Sequence, residues 1–231
     1  MIVLSLALFL LLGNVDVDVV TMPLTNDVKV VLAPSGRVEL KREGTVSHVR
    51  VDIDRVGPPA NAAPAMNTYV VWAVSPEGAF DNLGELDAGG GKGQFSGTTR
   101  LTEFGLLITA EPHYMVDRPS ATVVFRTQNS LDPRRKTTSI PVGAYDYSML
   151  KPISGAGVHA SVTQARTAFQ IAQLLGADQL APQEFRNAQV AMGSLQELLM
   201  RAAPLDIIWP TANEAIRWSE KAAEVARGKK N

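Results

Sequence analysis

The sequence predicts an α+β protein of two domains, an N-terminal immunoglobulin-like antiparallel β-sandwich followed by a C-terminal antiparallel three-helix bundle. Three observations predict it. Short apolar runs bounded by Gly, Pro, Asn and Asp recur from Val15 to Phe125. A long Pro- and Ala-rich connection over residues 57–67 precedes the Trp-bearing run Thr68–Val74, as a crossover between two sheets would. From Ala160 onward the apolar period changes from that of a strand to that of a helix. The boundaries that follow are an apolar leader at 1–13, the sandwich at 14–150, a linker at 151–159 and the bundle at 160–231, the linker being placed by Lys151–Pro152 and the glycines beside it.

Met1 to Leu12 is apolar apart from Ser5 and stops at Gly13–Asn14, the length of a signal-peptide core and too short to cross a bilayer as a helix. No Lys or Arg precedes it and no A-x-A-like site follows, so a truncated anchor or a buried strand are the competing assignments. Val15, Val17 and Val19 alternate with Asp16 and Asp18, a period of two that puts the valines on one face. Val28–Leu32, Gly36–Lys41 and Val46–Ile53 repeat the strand pattern. Thr68–Val74 is crowded with β-branched and aromatic residues and ends at the turn Ser75–Pro76–Glu77–Gly78. Asp87–Gly93 reads as a hairpin tip rather than a phosphate loop, since Gly93 stands where a P-loop needs Ser or Thr and a strand follows. Phe104–Thr109 and Ala121–Phe125 are continuous apolar runs, expected as central strands with Trp72 buried among aliphatic neighbours. Beyond Gln128 the pattern dissolves, with one weak strand expected near Ala144–Leu150.

The first helix is expected to start at a Ser161/Gln164 capping box and to end at Gly176. Pro182 suits the first turn of the second, whose stripe Phe185, Ala188, Met192, Leu195 and Leu199 alternates spacings of three and four before Pro204. The third is expected to be capped by Asp206 or, better, by Thr211 with Glu214, and to carry Trp218 on its stripe. Its end, Arg227–Gly228–Lys229–Lys230, reads as a frayed, solvated basic tail.

The chain of 231 residues is 45% hydrophobic with net charge −1. That composition supports globular cores and gives no electrostatic reason for a nucleic-acid partner. Without cysteine there is no disulfide, thiol catalysis or thiolate metal site. Glu111, His113 and Asp117 are the one loop cluster that could supply an acid, a base and an orienting carboxylate, or three metal ligands. The competing reading is that Glu111 accepts local hydrogen bonds and Asp117 pairs with Arg118. No nucleophile has a neighbouring base, so no enzyme and no cofactor are expected.

Tyr69, Trp72, Asn82–Leu83–Gly84, Thr109–Ala110–Glu111–Pro112 and Pro119–Ser120 through Val124 occur in the order seen in the outward-facing C-terminal domain of anti-sigma-K factors, which residues 38–125 resemble. The resemblance makes Tyr69, Trp72, Gly84, Glu111, Pro112 and Pro119 its structural motif. Ala165, Ala168, Gly176–Ala177, Ala181–Pro182, Phe185, Ala188 and Ala222–Ala223 resemble the alanine-rich helical domain of bacterial envelope lipoproteins, often found with OmpA-like domains, although no Cys is present to carry a lipid.

Together these imply an exported, non-enzymatic envelope protein, periplasmic or at the cell surface, acting as a structural or protein-interaction module. Its partner would be an envelope or cell-wall-associated protein, with peripheral or N-terminal membrane association, and its candidate face Phe185, Met192, Leu195, Leu199 and Trp218. A sensory domain of anti-sigma type is the alternative, and metal or small-ligand binding at Glu111, His113 and Asp117 the second.

Overall fold

The computed structural model describes residues 15–24, 28–33, 35–128, 136–153 and 159–230. The stretch 1–13, expected as a leader, and part of the expected linker lie outside them. The chain is mixed α+β, with eleven strands and then four helices among the described residues. Strands are β1 (Val15–Pro23), β2 (Val28–Ala33), β3 (Arg37–Glu43), β4 (Val46–Asp54), β5 (Thr68–Val74), β6 (Phe80–Glu85), β7 (Asp87–Gly89), β8 (Lys92–Thr99), β9 (Glu103–Glu111), β10 (Val123–Thr127) and β11 (Lys136–Val142). Helices are α1 (Ala160–Leu174), α2 (Ala177–Leu180), α3 (Pro182–Met200) and α4 (Leu205–Lys230).

Every strand pair is antiparallel, and β9 is the hub. Along one edge it pairs with β5, from Thr68 opposite Glu111 to Val74 opposite Gly105. Its other edge is shared, first by β1 at Met22 and Pro23 and then by β10. The β5–β9 ribbon is covered on both faces, which is why its strands are apolar without alternation. Tyr69, Val71, Ala73, Leu106 and Ile108 face a wall built from β3, β4 and β8. Val70, Trp72, Val74 and Leu107 face β1 and β11. Gly105 marks where β1 passes over β9: a Cβ there would sit 2.4 Å from Val19 Cγ1 and 2.5 Å from the Val20 carbonyl. The hairpin at Asp87–Gly93 turns on Gly90 and Gly91, both at positive φ, with Asp87 opposite Gln94.

Four expectations change. The last strand is Lys136–Val142, and Ala144–Leu150 is a turn segment. Thr137 and Ser139 hide the period, yet Ile140 and Val142 are buried while Pro141 points out, as an outermost strand allows. Trp72 is not enclosed by aliphatics alone, because its indole N–H donates to Thr109 Oγ1 at 2.9 Å and Phe80 packs edge-on. His159, not Ser161, caps α1, its Nδ1 accepting the Ser161 N–H, because the Gln164 side chain is drawn away to the strands. And α4 begins before Thr211, running through Pro210, with the Thr211 hydroxyl turned back onto the Ile207 carbonyl.

The helix α4 packs along both α1 and α3, which meet each other only sparsely. Alanines set the close approach: Ala165 and Ala168 on α1, Ala191 on α3, and Ala212 and Ala215 on α4 are all buried in one cluster. No helix among the described residues is long and apolar enough to cross a membrane.

Candidate functional site

Where β9 ends, the chain turns at Pro112 and delivers its titratable residues to the helices rather than to one another. Glu111 is wholly buried. Its Oε1 accepts from the Thr109 hydroxyl and from the Ser120 N–H at 2.7 Å, while Oε2 meets no donor among the described residues. Burial pushes this carboxyl up to about 8, although the bonds from Ser120 and Thr109 pull the other way, so at neutral pH it is mostly the uncharged acid.

His113 is also completely buried and lies against α4. Its Nε2 is 3.2 Å from Glu220 Oε2, yet neither atom makes an aligned hydrogen bond, so the contact is one of proximity and charge rather than a directed bond. Glu220 in turn receives Arg227 Nη1 on Oε1 at 2.8 Å. Burial opposes the ionisation of Glu220, but His113 and Arg227 together outweigh it and hold the carboxyl below its usual range. The same guanidinium lies 3.8 Å from the centre of the Tyr145 ring and 3.6 Å from Asp117, which accepts the Tyr145 hydroxyl at 2.8 Å. Arg227 is only 12% exposed by side chain, so it is a buried clasp and not the start of a solvated tail. Lys229 is engaged as well, on the Leu180 carbonyl at 2.7 Å.

The three loop residues of the sequence therefore meet different partners: Glu111 the strands, His113 the middle of α4, Asp117 its end. Among the described residues no cluster of His, Asp and Glu is arranged to hold a metal ion. The other residues expected as a structural motif make structural contacts. Tyr69 donates its hydroxyl to the Gly57 carbonyl at 2.9 Å, and Gly84 sits at a φ of +124° where the pairing of β5 and β6 slips by one residue. The Pro112 carbonyl accepts from Asn67 Nδ2 at 2.9 Å and the Pro119 carbonyl from the Gly143 N–H.

Apart from the clasp, recesses open on the helical side among the described residues. A cleft of about 410 Å³ opens where β5 and β6 meet the first turn of α1 and the second turn of α4. The side chain of Gln164 crosses its floor, donating to Glu85 Oε1 at 2.7 Å and accepting the Tyr114 N–H at 2.9 Å. Farther along, a shallow groove of about 740 Å³ runs between α1 and α3, left open by their sparse contact. Of the face expected from the helical stripe, Phe185 and Leu195 are buried, Phe185 stacked on Phe169 at 5.2 Å. Met192 and Leu199 line the groove half-buried with Leu195 at its base, while Trp218, outside the groove, packs half-buried against the same helical cluster with Arg217 over its ring.

Sequence reasoning missed Glu220, Arg227, Tyr145 and the cleft. The one available signal was the histidine at 113, which needs a partner once the strand end carrying it is buried. Comparison with protein-family models, with curated proteins and with solved structures finds no match to this chain.

Proposed function

We propose that the chain is a non-enzymatic, exported envelope protein in which an immunoglobulin-like sandwich carries a three-helix bundle, made by α1, α3 and α4, as a structural or protein-interaction module. The observation that carries this reading is how the loop from Glu111 to Asp117 is used. Glu111, His113 and Asp117 are each occupied in holding strands and helices together, which suits a rigid scaffold better than a reaction centre. The half-buried Met192 and Leu199 beside the groove add an apolar surface on the helical side, in keeping with a protein partner. The apolar leader and the two resemblances supply the compartment.

The test is fractionation of bacterial cells expressing the full chain, with intact-mass analysis of each fraction. The expected result is an envelope-associated species lacking the apolar leader. Full-length protein in the cytosol overturns the reading.

A further inference from the structure

The cleft between strands and helices has a lining that no part of the clasp uses. Trp209 and Asn213 stand four residues apart on α4 and so project from the same face, one turn above the other. Trp209 is 53% exposed, with an apolar ring held at the rim where solvent reaches it. Asn213 Oδ1 is buried and has no hydrogen-bond partner among the described residues, an acceptor left waiting for a donor. Opposite them, Glu85 takes both its bonds, from Thr68 and Gln164, on Oε1, leaving Oε2 without a bond among the described residues. At the mouth, the Nδ1 of His159 is taken up by Ser161, which leaves Nε2 without a hydrogen bond among the described residues.

The lining contains no Lys or Arg, while Glu85 and Asp87 are both acidic, so an anionic ligand is repelled. Polar and apolar groups line it in comparable measure, with the buried acceptor of Asn213 among them, which does not suit a wholly apolar lipid or steroid. What fits is a flat, uncharged molecule with an apolar face and several hydroxyls around its edge. The face would lie on Trp209, and the hydroxyls would donate to Asn213 and Glu85 and bond to His159 Nε2. The volume lies within the range of small-molecule sites and accommodates more than one ring. We propose that this cleft binds a neutral saccharide, with Trp209 as the stacking platform and Asn213 Oδ1 as the acceptor that selects a hydroxyl or acetamido N–H. Several separate parts of the chain build it, so it exists only when the helices are docked on the strands. It does not depend on export, so its failure and that of the envelope reading are separable.

The test is isothermal titration calorimetry of the full chain with three neutral trisaccharides, chitotriose, cellotriose and maltotriose, at millimolar concentration. Saturable binding of at least one is expected, with the Trp209 indole N–H shifting in a proton–nitrogen NMR spectrum. Trp209→Ala should weaken that binding about tenfold or more, because the stacking surface is gone. Asn213→Leu, which keeps the volume and removes the acceptor, should weaken it several-fold with the fold intact by circular dichroism. No saturable heat with any of the three overturns the proposal. So does binding that survives both substitutions, or that is matched by a neutral tripeptide, which would make the cleft a peptide site.

Discussion

The β5–β9 ribbon and the α4 clasp are both buried, and they hold the molecule by opposite means. Around Trp72 the contacts are apolar on two faces, with one hydrogen bond to satisfy the indole. Around Arg227 nearly every contact is polar or charged, and several polar atoms stay unmatched. The first kind of contact is nondirectional and tolerates small shifts. The second brings little net stability but fails badly when one partner is lost, so it fixes where the helices sit more than how strongly they are held.

The largest effect should come from emptying the ribbon. Trp72→Ala removes a fully buried ring flanked by Phe80 and takes away the donor to Thr109 Oγ1; the expected loss is about 4 kcal/mol, read as a fall in the denaturation midpoint with one cooperative transition. Next is Arg227→Ala, which strands Glu220 in a buried site. We expect a loss of about 3 kcal/mol. Faster amide exchange should be confined to α4 and the 143–150 turn, and loss of protection in β5 as well would mean that the two regions are a single unit.

The two buried carboxyls give the comparison a pH signature with opposite signs. Glu111 has a folded-state value raised from 4.5 to about 8, so the folded chain holds more protons than the unfolded one between those values, and its contribution is lost as pH rises through about 8. Glu220 is lowered, so its contribution is present above the ordinary carboxylate value and is lost as pH falls through its folded-state value. Glu111→Gln keeps an acceptor for Thr109 and Ser120 without the ionisation. It should flatten the decline toward alkaline pH and leave the variant more stable than the parent above about pH 8, in denaturant titrations. An unchanged slope would show that Glu111 is already ionised at neutral pH.

The smallest effect is the control: Lys221→Ala breaks an exposed pair with Glu224 one turn from the clasp, and no measurable change in midpoint is expected.

The same contrast decides what could be read from the residues. The ribbon was legible because apolar runs such as Thr68–Val74 and Phe104–Thr109 speak for themselves, and the long helices were legible by period. β11 was missed because Thr137, Ser139 and Pro141 supply the outward half of its alternation and only Ile140 and Val142 the inward half. The cap of α1 was misassigned because Gln164, a good capping-box residue, is recruited by Glu85 and Tyr114, which lie far away in sequence. The start of α4 was misplaced because Pro210 and Thr211 look like a helix beginning. Glu220 and Arg227 were illegible for a deeper reason. Nothing local separates them from Glu214, Arg217 or Glu224, and only docking on His113 and Asp117 turns two helix charges into a clasp.

The pairing of β1 with β11 also has a kinetic side. Thr21 donates to the carbonyl of Lys136, 115 residues further on. During synthesis at roughly 5–20 residues per second, most of β1 waits on the order of 10 s for its partner to be made. Through that interval Val17 and Val19 lie on an open edge, and a chain stalled before Lys136 would present the same edge to its neighbours.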